Sequence, residues 1–355
     1  MFRHHKPNRP TRNRLLFLCL SGALLVGCQG DQHQAALEEY LARLARTLDT
    51  AMPEVTRFAA PVPPRTGEIR LDFPPSTIDS LDFLALTGCA LQVTIGKRNS
   101  SLGRMAADSQ RLLLELEYLR LAPECIAHQR RLGREELASS LETAWRDKRE
   151  QLPARIFNAT LGGSEYRRFW RRSVSPGDYP AATGSQVITA LEAINDLTQQ
   201  WLAGDYRADN LAFEILLGEV ATGDGGALLE GLALQGAWLS AADGLLEERV
   251  ARGPLCAPGI RHEAADILPT VVRRFFVGGV QPYAAALGRR RHELIPPMVE
   301  LETLLEPVLP PAFRAWQQER NAALEQLAAA PRRQVDQLKT ILAPCGGFPI
   351  PNQTK

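Results

Sequence analysis

The sequence predicts an all-α fold: an irregular multi-helix bundle or array, with room for two helical subdomains each closed by a disulfide. Three observations carry this reading. Apolar residues recur at three- and four-residue steps through most of the chain, as in Leu37, Leu41, Leu44 and Leu48, which is the spacing of one helix face. The one candidate strand is the short stretch Ile69-Arg70-Leu71-Asp72-Phe73. Four widely spaced cysteines, Cys89, Cys125, Cys256 and Cys345, form the even number expected of bridges in an oxidising compartment.

The chain opens on Arg3, Lys6, Arg9, Arg12 and Arg14 with no acid, followed by an apolar run from Leu15 to Val26. A positive region followed by about a dozen apolar residues is the layout of a secretory signal, too short to span a bilayer as a helix. The run ends in Leu25-Val26-Gly27-Cys28. This resembles the cleavage box of bacterial lipoprotein signals, which implies removal of residues 1–27 and a diacylglyceryl thioether with an acylated amino terminus on Cys28. Gln29, rather than Asp, follows the cysteine; by the enterobacterial sorting rule this implies an outer-membrane anchor with the body facing the periplasm.

Removing the leader takes five of the 41 basic residues and none of the 40 acidic ones, leaving 36 against 40 and a formal −4. A mildly acidic chain of this kind disfavours nucleic acid as a partner. Residues 28–34 read as a short lipidated tether and 35–350 as a helical periplasmic domain, with a subdivision near 150–180. No regular repeat length calls for a solenoid. The four cysteines allow three pairings. Cys89–Cys125 with Cys256–Cys345 is favoured because each bridge then staples its own half of the chain.

The first helix is expected over residues 32–51, ended by Pro53. Pro61, Pro63, Pro64, Pro74 and Pro75 make the next stretch an extended connector. Ser76, with Asp79 three residues on, reads as a helix N-cap. Residues 96–104 read as a polar loop at the tip of a helical hairpin, before a helix over 107–121 that Pro123 ends. Helices are expected over 134–151, 153–161, 165–172, 186–203, 209–222 and 225–252. The capping sequence Thr183-Gly184-Ser185-Gln186 precedes the fourth of these, and Gly, Ala and Leu enrichment in the last permits close packing. Residues 253–259 form a turn. Helices follow over 262–277, 280–305, 311–329 and 332–342, with Pro296-Pro297 as a break.

The most distinctive segment is Leu81-Asp82-Phe83-Leu84-Ala85-Leu86, then Cys89, then Lys97-Arg98-Asn99-Ser100-Ser101-Leu102-Gly103-Arg104. With the cleavage box, it resembles a family of uncharacterised proteobacterial lipoproteins. The resemblance implies secretion and lipidation and carries over no catalytic residue.

Chemistry-bearing motifs are missing where they would be expected. There is no Gly-x-Ser-x-Gly elbow. Gly96-Lys97 lacks the earlier glycine of a phosphate loop, and Arg98 stands where Ser or Thr belongs. His262-Glu263 and His292-Glu293 start like a zinc-protease helix, but Asp266 and Pro296 occupy the positions that need histidine. No catalytic residue, metal site or cofactor is expected. The segment of Lys97, Arg98, Asn99, Ser100 and Arg104 is the candidate surface for an anionic group or a partner, weighed against a capped helix junction with solvated cations. Arg167, Arg168, Arg171 and Arg172 interleave with Tyr166, Phe169 and Trp170, a pattern better explained by packing than by a sugar or headgroup site. The expected function is a membrane-anchored, non-enzymatic scaffold or binding protein of the cell envelope, with a protein, peptidoglycan or lipid partner. The alternatives are an envelope hydrolase or transferase with a site assembled from distant residues, and a carrier of apolar ligands.

Overall fold

The structure is a computed structural model and describes residues 32–74, 86–171, 179–180 and 183–347. The leader, Cys28, most of the expected helix that begins at Ser76 (residues 76–85) and the end of the tail lie outside the described residues. The described part is a multi-helix array, with one two-stranded hairpin (β1 Cys256–Ala257, β2 Ile260–Arg261) as its only sheet.

Helix α1 (Gln32–Thr47) buries Leu37, Tyr40, Leu41 and Leu44. It stops before the expected Ala51. Asp49 adopts φ +50°, and the Asp49 and Thr50 amides donate to Arg46 and Ala45, closing the helix with a left-handed turn. The following connector holds one turn, α2 (Thr66–Ile69), and the expected strand does not form. The Leu71 amide donates to Asn158 Oδ1 at 2.9 Å, and Asn158 Nδ2 donates to the Leu71 carbonyl at 2.8 Å. A carboxamide thus satisfies backbone groups that a neighbouring strand would otherwise take.

Residues 96–104 are mostly helical rather than a loop. Helix α3 (Leu91–Asn99) meets the single turn α4 (Ser101–Met105) at Ser100. The Ser100 hydroxyl accepts from the Gly103 amide at 3.0 Å and donates to the Lys97 carbonyl at 2.7 Å, a local cap at the corner.

Helix α5 (Asp108–Arg131) continues through Pro123, contrary to expectation. Proline leaves the carbonyl four residues back without its helical donor. That carbonyl, Leu119, accepts instead from Trp145 Nε1 at 3.0 Å. Trp145 lies on α6 (Glu135–Ala159), which likewise runs through Pro153 and merges two expected helices. The two long helices form an antiparallel hairpin. Near its turn, Tyr118, Ala122, Ile126, Leu137 and Leu141 form a separate apolar cluster with Leu86, Leu91 and Ile95. The Cys89–Cys125 bridge sits inside this cluster, with Cα atoms 5.5 Å apart.

The main core gathers the remaining helices. From α6, Leu152, Ile156 and Phe157 join Tyr166, Phe169 and Trp170 of α7 (Ser164–Arg171). Helix α8 (Gln186–Leu202) starts without the expected Thr183 capping bond; the Thr183 hydroxyl donates to the Pro180 carbonyl instead. Asp209 caps α9 (Asn210–Ala221) through the Ala212 amide at 2.7 Å. Helix α10 (Gly225–Ala251) is packed so closely that a Cβ on Gly236 would lie 2.6 Å from Leu327.

Helix α11 (Ala264–Val271) passes through a π-helical segment, Val272–Val280, into α12 (Gln281–Leu304) without a gap. Pro296 and Pro297 lie within α12 and do not break it. Asn195 of α8 braces the stretch by donating to the Pro297 carbonyl at 2.8 Å. Helices α13 (Pro311–Ala328) and α14 (Ala330–Leu342) complete the array, and Cys256–Cys345 ties the hairpin to its end. Both bridges follow the favoured pairing.

Two buried ion pairs lock the main core. Arg320 donates to both Glu302 oxygens, at 2.6 and 2.8 Å, and its guanidinium lies 4.7 Å from the rings of both Trp170 and Trp316. Tyr166 donates to Glu302 at 2.6 Å. The aromatic members of the Tyr166–Trp170 segment are therefore packing. Arg290 of α12 grips Asp224, which also accepts from Tyr179 at 3.0 Å.

Candidate anion-binding cleft

The α3–α4 corner, the first turns of α5, the end of α6 and connector residues 70–74 enclose a cleft of about 500 Å³. Its walls carry Arg70, Arg98, Arg104, Arg111 and Arg155 against two acids, Asp72 and Glu115. Local geometry places each cation. Arg111 and Glu115 are four residues apart and share one face of α5. The Arg111 side chain donates to the Arg104 carbonyl, fixing α4 over the helix start. Gly103 sets the corner: a Cβ there would lie 2.2 Å from the Lys97 carbonyl oxygen and 2.6 Å from that of Arg98. Only glycine lets α4 fold back so tightly on α3. Arg70 is bound bidentately by Asp108, at 2.9 and 2.8 Å.

The floor of the cleft is a buried charge cluster. Glu115, with its side chain 2% exposed, meets Arg98 at 2.7 Å, Lys148 at 2.5 Å and Arg155 at 3.5 Å. Burial alone would push the Glu115 carboxyl up, but Lys148, Arg155 and Arg98 together hold it below the usual carboxylate range. Three cations thus surround one anion. The excess bears on Lys148, whose pKa is lowered by burial and by the two guanidiniums despite the pull of Glu115. Burial lowers that of Arg155 too, with Arg98 and Arg111 adding to the effect.

Arg155 is the central donor. Its guanidinium stacks over Phe73, 4.0 Å from the ring centroid, and donates through Nη2 to Gln151 at 2.7 Å. Its Nε is buried and has no hydrogen-bond partner, which carries a desolvation cost. Clustered guanidiniums suit the planar, multidentate geometry of phosphate and carboxylate oxygens. Among the lining residues there is no histidine, cysteine or serine to act as a nucleophile, and Glu115 is committed to its three cations.

Of the expected surface residues, Arg98, Asn99 and Arg104 line the cleft. Lys97 sits 3.9 Å from Glu117 with its side chain 58% exposed, and Ser100 serves as the cap. Ser100 therefore acts as a cap at the corner, while Arg98, Asn99 and Arg104 face the cleft. Sequence reasoning missed Arg70, Arg111, Glu115, Lys148 and Arg155. One signal was available: Glu115 interrupts the buried stripe Leu112, Leu116, Leu119, where a lone carboxylate requires cationic partners. Asn158 is the clip that positions the connector wall.

His33 stacks on Tyr283 with centroids 4.0 Å apart, and His262 is tied through its backbone to Leu255. Among the described residues no group of three His, Cys, Asp or Glu side chains is placed to hold a metal, and no helix is long and apolar enough to cross a membrane. A second groove, of about 520 Å³, is lined by Val55, Phe58, Leu234 and Trp238 together with Glu230 and Arg57. A family described as "Protein of unknown function (DUF3080)" matches residues 37–348. No curated protein and no solved structure matches the chain.

Proposed function

We propose, for a chain that belongs to the DUF3080 family and takes no known activity from it, a lipid-anchored binding protein of the bacterial cell envelope. Its arginine cleft holds an anionic group and does not convert it. The anchor is lipid on Cys28, and the outer membrane, facing the periplasm, is the site that Gln29 favours. The few residues between Cys28 and the start of α1 at Gln32 keep the helical body at the membrane surface, within reach of envelope lipids, peptidoglycan or membrane proteins.

One observation carries the binding reading: the cation excess around Glu115, with Arg98 and Arg155 in the cleft wall. The test is calorimetric titration of inorganic phosphate into the full chain carrying Cys28→Ser. Saturable binding is expected, weakened roughly ten-fold in Arg104→Gln by loss of one charge-assisted contact. Equal heats in both proteins, or none in either, would overturn it. The anchor is tested separately by the mass of the membrane-extracted chain, which should carry acyl groups that Cys28→Ala lacks.

The groove beside Trp238 favours a second reading, carriage of an apolar ligand. Under that reading, solvent extraction of the purified chain recovers a lipid, and Trp238→Ala reduces the amount. Recovery of none counts against it.

A further inference from the structure

We propose that the corner formed by α3 and α4 docks on an anionic lipid bilayer, with the arginine cleft receiving a lipid phosphate. This rests on the anion-binding reading of the cleft and names its ligand class. Leu102 and Met105 are 84% and 86% exposed, the two most exposed large apolar side chains among the described residues. They are three residues apart on the single turn α4 and so project from one side of it. Arg104, between them, is exposed and lines the cleft mouth, while Gly103 holds the turn against α3.

A second exposed pair stands close by. Leu211 and Ile215, 71% and 54% exposed, are four residues apart on α9. Helix α9 is held to the first turn of α5 by Gln110, which donates to Asn210 at 2.7 Å and Glu214 at 2.6 Å. The next residue, Arg111, holds α4. Both apolar pairs therefore lie on elements held to the same end of α5.

Charge complementarity selects the occupant. Five arginines against two acids line the cleft, whereas the whole chain is nearly balanced at 41 basic and 40 acidic residues. The local cation excess gives this corner an attraction for an anionic surface that the chain's total charge does not provide. Cations near such a surface are attracted to it, and apolar side chains entering the headgroup region add burial. A small free anion would use the arginines and gain nothing from the two apolar side chains at the rim. A bilayer uses both.

The test is flotation of the full chain carrying Cys28→Ser with vesicles of phosphatidylglycerol and phosphatidylcholine, and with phosphatidylcholine alone. Binding to the mixed vesicles should exceed binding to the neutral ones and fall with salt. Leu102→Ser with Met105→Ser should weaken it roughly ten-fold through lost apolar burial. The same double variant should bind inorganic phosphate as the parent does and unfold at the same temperature, because both side chains are already in water. Arg104→Gln should weaken both vesicle and phosphate binding. If the double variant binds anionic vesicles as the parent does while phosphate still binds, the docking inference fails alone. If the parent does not bind phosphate, the cleft reading fails and this inference with it. Crosslinks from position 102 to an envelope protein, with no preference for anionic vesicles, would also overturn it.

Discussion

Replacing Glu115 by Gln separates a structural charge from a binding one. The carboxylate accepts from Arg98 at 2.7 Å and Lys148 at 2.5 Å, with Arg155 at 3.5 Å. Breaking a buried pair by removing one partner costs about 3–5 kcal/mol. The carboxamide keeps the shape and one acceptor, so the lower end, about 3 kcal/mol, is expected. At roughly 2 °C per kcal/mol for a chain of this size, the thermal midpoint should fall by about 6 °C. The opposite sign is expected for anion binding, because three cations then lack their counter-charge. If phosphate binds ten-fold more tightly to the variant, it should recover about 1.4 kcal/mol more stability there than in the parent at the same saturating concentration. The assay is thermal unfolding at fixed pH over a phosphate series, with chloride at matched ionic strength. A variant as stable as the parent, or one that phosphate stabilises no more than it does the parent, would refute the reasoning.

Trp145→Phe removes the only donor described for the carbonyl freed by Pro123, leaving a partly buried acceptor unpaired; urea unfolding should show a loss of about 1–2 kcal/mol. Gly103→Ala must push α4 away from the Lys97 and Arg98 carbonyls; phosphate affinity should fall while the far-UV spectrum stays helical, and unchanged affinity would contradict the placement of the cleft. Asp243 has its pKa raised to about 6 by burial, with Glu247 adding repulsion and Arg333 opposing it. A carboxyl raised in the folded state binds its proton more tightly there, so its contribution falls as pH rises from about 4 through 6. Asp243→Asn should therefore gain on the parent across that window, by about 1 kcal/mol after screening of this half-exposed group, and parallel pH–stability curves would refute the assignment.

The helical class was legible because apolar periodicity is a local signal, and the favoured cysteine pairing because each bridge then staples its own half of the chain. The proline breaks were not. Pro123 and Pro153 look like terminators in isolation, and only the tertiary placement of Trp145 shows where the carbonyl lost to Pro123 goes. The expected strand at residues 69–73 failed for a related reason, since Asn158 lies 87 residues away and takes the backbone bonds. At the cleft, Arg98, Asn99 and Arg104 stood out as one basic segment, while Arg70, Arg111 and Arg155 arrive from three other elements. Convergence of that kind leaves no spacing to read. Its nearest trace was a carboxylate, Glu115, in the middle of a leucine stripe.

The most direct test of the anion site is the Nε–H resonance of Arg155, assigned by its loss in Arg155→Lys, followed by NMR as inorganic phosphate is added to the full chain. Its Nε is buried without an acceptor in the structure. A saturable shift with slowed hydrogen exchange at this one side chain, weakened in Arg104→Gln, is the expected result. An Arg155 resonance that does not move while phosphate perturbs arginines elsewhere would contradict it.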